Sequence, residues 1–129
     1  MIFFDTSAIV ALANRADQRH AEAKALLAGI DPGSLLTHNY TITEAFALLH
    51  RRLGLAVALR FERDLAQFQV VWIDRRLHES AVKNLARKGT RRSSLVDEVS
   101  FLVMRERGID TAFAFDADFE REGFRTLGG

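Results

Sequence analysis

The run Met1-Ile2-Phe3-Phe4-Asp5 puts a carboxylate directly after four apolar residues, and Ala112-Phe113-Ala114-Phe115-Asp116 does the same near the other end of the chain. An apolar run closed by an acid reads as a buried strand that delivers a carboxylate to its tip. Glu44 and Asp97 add two acids near the starts of helical segments. Carboxylates gathered at one place repel, so they share a cation or a proton. Oxygen-only donors favour hard ions, which makes Mg²⁺ or Mn²⁺ a better fit than zinc. The four histidines, His20, His38, His50 and His78, form no HxH or HxxxH pair and read as structural or surface residues. The absence of cysteine excludes disulfides, thiolate zinc sites and cysteine nucleophiles. An ion held by a few carboxylates keeps open water positions, which suits hydrolysis at phosphate.

Each acid also has a plainer reading. Thr41-Ile42-Thr43-Glu44 matches a helix capping box, and Ser94-Leu95-Val96-Asp97 matches it in looser form. Asp5 is placed to cap a helix beginning near Ser7, and Asp116 to open a turn. Independent caps do not account for four acids in apolar settings around one cleft.

The elements that must position these acids alternate in type. Strands are expected at Ile2–Phe4, Leu35–Thr37, Val70–Ile73 and Thr111–Phe115, with a short fifth at Phe124–Thr126. Helices are expected from about Ser7 to Asn14, Arg19 to Ala28, Thr41 to Leu53, Leu55 to Gln67, Asp74 to Lys88, and Ser93 or Ser94 to Arg107. That order implies βαβ units, hence an α/β fold whose central parallel sheet of four to five strands is covered on both faces. Ligands of such sheets bind outside the carboxyl ends of the strands. Asp5, Glu44 and Asp116 fall at that edge by topology, with Glu44 expected in the first turn of its helix. Asp97 is less directly placed. It lies on an apolar stripe with Phe101 and Met104, whereas Glu98 and Arg105 are expected on the polar side.

A chain of 129 residues is expected to be a single domain, residues 1–129, with an ordinary content of 48% hydrophobic and 27% charged residues. No apolar run approaches the roughly 20 residues needed to span a bilayer. Met1-Ile2-Phe3-Phe4 is too short and lacks the basic residues for a signal peptide, so a cytoplasmic protein is expected. With a net charge of +1, affinity for a polyanion must come from local patches. Arg51-Arg52, Arg87-Lys88 and Arg91-Arg92 are the candidates, and Arg91 and Arg92 are the best placed to hold a phosphate backbone.

Taken in order, Phe4-Asp5-Thr6-Ser7, Thr43-Glu44-Ala45, Ser94-Leu95-Val96-Asp97 and Phe115-Asp116-Ala117-Asp118-Phe119 resemble the motifs of PIN-domain ribonucleases, above all the VapC-type toxins of toxin–antitoxin systems. The resemblance covers essentially the whole chain. It implies a three-layer α/β/α PIN-like fold, Mg²⁺- or Mn²⁺-dependent endonucleolytic cleavage of RNA, and Asp5, Glu44, Asp97 and Asp116 as the catalytic and metal-binding set. Asp118 is implied as a weaker contributor, and Thr6 and Ser7 as residues that shape the turn and hydrogen-bond the ligating acids. A small antitoxin occupying the active-site groove and a homodimer are further implications. The chain departs from the family pattern at Glu98, where small or apolar residues are frequent, and at Asp118, where many relatives carry histidine.

Rival readings fit less well. A haloacid-dehalogenase-type phosphotransferase wants a second Asp where Ser7 stands. A receiver domain needs a strand-tip lysine, whereas Lys24, Lys83 and Lys88 all fall in expected helices. A non-catalytic PIN-like module that binds RNA or protein would gain nothing from repelling carboxylates beside phosphates.

Overall fold

The computed structural model describes residues 1–128. Five parallel strands lie in the order β3-β2-β1-β4-β5, namely β1 (Ile2–Phe4), β2 (Leu35–His38), β3 (Gln69–Val71), β4 (Thr111–Phe113) and β5 (Arg125–Leu127). Alternation along the strands divides the interior into two cores. Phe4, Leu35 and Phe113 face α1 (Thr6–Ala13), α2 (His20–Ala28), α3 (Asn39–Leu53) and α4 (Leu55–Asp64). Phe3, Leu36, Ala112 and Ala114 face α5 (Arg75–Lys88), α6 (Leu95–Arg107) and α7 (Asp118–Arg121). The result is the expected α/β/α sandwich, because strands buried on both faces need a helical layer on each.

The strand order sets where a ligand can enter. From β1 the chain crosses to β2 over the α1–α2 layer, whereas from β4 it crosses to β5 over α7 on the opposite face. The helices after β1 and β4 therefore part, and the carboxyl edge opens between these neighbouring strands. Asp5 and Asp116 follow those two strands. α6 feeds β4 and runs antiparallel to it, so its 13 residues, about 20 Å of helix, carry Asp97 back to the carboxyl edge.

Several boundaries differ from expectation, each for a local reason. α3 begins at Asn39 rather than Thr41, because buried His38 acts as the N-cap and its Nδ1 accepts the Thr41 N–H at 3.3 Å. The Thr41–Glu44 capping box is thus not formed, and Glu44 sits in the second turn. β3 ends at Val71, which leaves Trp72 74% exposed at the sheet edge. β4 ends at Phe113, so Asp116 lies on the connection beyond the strand and not at its tip. A short helix, α7, follows it. Gly54, at φ +99°, separates α3 from α4 in a conformation that a side chain would disfavour.

Candidate active site

Asp5 is delivered by β1 and is 3% exposed. It caps α1 as well, its Oδ2 accepting the Ser7 N–H at 3.1 Å and the Ser7 hydroxyl at 2.6 Å. Ser7 Oγ in turn accepts the Phe115 N–H at 2.9 Å, so one hydroxyl ties the β1 tip to the segment carrying Asp116. Asp116 Oδ1 accepts the Asp118 N–H at 2.9 Å, a turn that holds the carboxylate against the backbone. At the start of α6 the capping box is complete. Ser94 Oγ accepts the Asp97 N–H at 3.1 Å, and Asp97 Oδ2 accepts the Ser94 N–H at 3.0 Å. Capping therefore uses one oxygen of Asp5 and one of Asp97, and the other oxygen of each has no hydrogen-bond partner among the described residues.

All four sequence-derived acids line one cleft of about 330 Å³, together with Thr6, Ser7, Val10, Asp17, Arg19, Leu48, Arg52 and Phe115. A larger cavity of about 380 Å³ lies elsewhere, between α1, α2 and α4, and holds none of the four. Burial, opposed by the Ser7 hydrogen bonds but reinforced by the charges of Asp116 and Asp97, raises the Asp5 pKa to about 7. Burial and the charges of Asp116 and Asp118 raise Asp97 to about 6 against its Ser94 hydrogen bonds. Asp116 is also raised, by burial first and then by Asp118 and Glu44. Among the described residues none of the four forms an ion pair, whereas Asp118 pairs with Arg121. Acidic side chains outnumber the two arginines of the cleft, and their crowding and burial favour the protonated forms of Asp5 and Asp97.

The donor set fits a hydrated hard cation. Thr6 Oγ1 is buried in the cleft wall without a partner, so the expected hydrogen bond from Thr6 to an acid is not made, although that from Ser7 is. Among the described residues no three acid or histidine side chains stand close enough to form a ready ligand group. No histidine lines the cleft.

Two expectations need correcting. Arg91 and Arg92 are exposed and do not line the cleft; Arg19 and Arg52 do. Arg52 follows from the α3 face Glu44–Leu48–Arg52 at i, i+4 and i+8, a spacing visible in the sequence. Arg19, held 5.3 Å over the Phe115 ring, lies in the connection before α2 and carries no such signal. Glu98 is 1% exposed rather than on a polar face. Asp118, expected only as a weaker contributor, adds its field to Asp97 and Asp116 from outside the main cleft.

The PIN domain family pattern matches residues 2–124. The chain belongs to that family. Among proteins similar to this PIN domain is the 23S rRNA-specific endonuclease VapC20 of Mycobacterium tuberculosis, 43% identical over 126 residues, which are 96% of this chain and 95% of the relative. The crystal structure of M. tuberculosis VapC20, a sarcin–ricin loop cleaving toxin, superposes with a TM-score of 0.90 at 40% identity and 96% coverage of each chain. FitAcB of Neisseria gonorrhoeae shares the PIN fold, with a TM-score of 0.72 at 13% identity over 98% of this chain and 96% of the other.

Proposed function

We propose that this PIN-domain protein is a VapC-type endoribonuclease toxin that hydrolyses a phosphodiester of ribosomal RNA with a divalent metal ion, Mg²⁺ or Mn²⁺. The observation that carries this reading is the cleft at the sheet's switch point, which four carboxylates from four separate segments line, none of them in an ion pair among the described residues. Asp5, Glu44, Asp97 and Asp116 are the residues that would hold the ion. Bound there, it would supply Lewis acidity at a phosphoryl oxygen and a water of lowered pKa. The protein's part is orientation. Ser7 fixes the Asp5 carboxylate, the Ser94 backbone fixes Asp97, and the Asp118 N–H fixes Asp116. Arg19, resting over the Phe115 ring, and Arg52 flank the acids and offer cations to RNA phosphates. Ribosomal RNA as the substrate is supported by the 43% identity to VapC20 over nearly the whole chain.

The partners and setting belong to the same reading. A small antitoxin that occludes the cleft, a homodimer and a cytoplasmic site of action accord with a VapC-type toxin, and residues 1–129 act as one catalytic domain. Among the described residues no helix is long and apolar enough to cross a membrane.

The deciding experiment incubates purified protein with an RNA fragment containing the sarcin–ricin loop, with Mg²⁺ or Mn²⁺ and with excess chelator. Cleavage at one position that chelator abolishes is the expected result. Cleavage indifferent to chelator would sink the metal mechanism. Intact RNA with every metal, alongside measurable RNA binding, would instead support a non-catalytic module.

A further inference from the structure

Glu98 takes no part in the cleft, yet it is more deeply buried than Asp5, at 1% against 3% exposed. A carboxylate in an apolar layer is costly unless paired and hydrogen-bonded. Glu98 Oε2 accepts from Lys88 Nζ at 2.8 Å and from the Ser93 hydroxyl at 2.7 Å. The same ammonium pairs with Glu122, whose Oε2 accepts from Arg105 Nη2 at 2.7 Å. Lys88 Nζ also stands 5.0 Å over the Phe101 ring, and Phe101 packs edge-on against Phe119 with ring centroids 5.2 Å apart. One cation thus joins the last residue of α5, the first turn of α6 and the residue after α7.

Two of those segments carry cleft acids. Asp97 is the neighbour of Glu98, and successive helical residues point about 100° apart. Glu98 is thus seated inward beside Val99, Phe101 and Val103, which together set the rotation of α6 and with it the direction of Asp97. Asp116 and Asp118 enter α7, and Glu122 leaves it. Apolar side chains of similar volume often match a buried charge and its partner in net stability, so stability alone does not account for a carboxylate at Glu98. The loop between α5 and α6, which includes exposed Arg91 and Arg92, is closed by the same contacts.

We propose that Lys88, Glu98 and Glu122 are positioning residues of the acidic cleft, locking together the segments that carry Asp97 and Asp116 so that both carboxylates reach one cation. The inference rests on the metal-dependent reading of that cleft.

The test replaces buried Glu98 and its more exposed partner without changing net charge, by Lys88→Met together with Glu98→Leu, so that long-range attraction for a cation is unaltered. Three quantities are read: the urea midpoint, Mn²⁺ affinity by calorimetry, and kcat against KM on the rRNA fragment. The double variant is expected to keep its midpoint, to lose Mn²⁺ affinity by on the order of 10-fold, and to lose kcat with KM little changed. Glu98→Gln, whose amide oxygen still accepts from Ser93 and Lys88, is expected to bind Mn²⁺ nearly as the wild type does. A double variant with wild-type Mn²⁺ affinity overturns the proposal. So does a destabilised double variant whose affinity returns when trimethylamine oxide restores its midpoint, since the network is then only structural. Asp5→Asn is the control. If it too leaves Mn²⁺ binding unchanged, the metal site itself is refuted. If it abolishes binding while the Lys88–Glu98 change does not, only the positioning role falls.

Discussion

Asp5 does two things with one carboxylate: Oδ2 closes the first turn of α1 through Ser7, and Oδ1 is left for the cleft. Capping and metal binding are therefore compatible at this residue, although from the sequence they compete as explanations. Asp97 repeats the arrangement through Ser94. Glu44 does not, because His38 caps its helix, and the case for Glu44 as a ligand is stronger for losing its rival. Asp5→Asn is expected to abolish cleavage and Mn²⁺ binding while raising the stability of the metal-free protein. The amide oxygen still accepts from Ser7, and a buried charge held near pKa 7 is removed. Urea unfolding at pH 8 in chelator should show a gain of about 2–4 kcal/mol. With saturating Mn²⁺ the order reverses, since only the wild type gains from binding.

At the scale of the element, α6 shows how a helix start becomes part of a site. Ser94 supplies two groups to the box, a hydroxyl to the Asp97 N–H and a backbone N–H to the Asp97 carboxylate. Ser94→Ala removes only the first. It is expected to cost about 1 kcal/mol in urea unfolding at unchanged m-value. Because the backbone N–H still holds Asp97, cleavage should survive far better than in Asp97→Asn, and equal losses in the two variants would show that the hydroxyl itself orients the acid. The same helix shows a limit of pattern reading. Leu95, Val99, Leu102 and Val103 mark one buried face correctly, but Glu98 is buried as well. A charged residue is assigned to solvent unless its partner is known, and its partner Lys88 comes from a different helix.

For the whole molecule, the cleft makes stability depend on pH. Asp5 has a folded pKa near 7, above its unfolded value of about 3.9, so the fold holds that proton more tightly than the unfolded chain. Stability from this group is full below about pH 4 and is lost as pH rises towards 7. Buried His38 acts in the opposite sense. Burial lowers its pKa to about 3, so the fold excludes a proton that the unfolded chain takes up below about pH 6.5, and stability is lost as pH falls from there towards 3. The Asp5 contribution is isolated by subtracting the metal-free wild type from Asp5→Asn. The stability difference should be near zero at pH 4, grow through pH 5 to 7, and level off above. A difference independent of pH would mean that Asp5 is not held protonated by its burial.

The sequence by itself determined the α/β class, the strands and helices other than α7 to within a few residues, and four acids that come to line one cleft. These are written in local periodicity, in caps and in residue types that only a few kinds of chemistry use. It also carried the family pattern through motifs in a fixed order. The tertiary structure decided which other cations meet the acids. Arg52 shares the α3 face of Glu44, a spacing the sequence shows, whereas only packing brings Arg19 to the cleft and leaves Arg91 and Arg92 outside it. It likewise decided that Thr6 Oγ1 has no partner, that β4 stops short of Asp116, and that Glu98 turns inward to Lys88. Each of these depends on contacts between segments distant in sequence or adjoining only in space, and no local pattern records them.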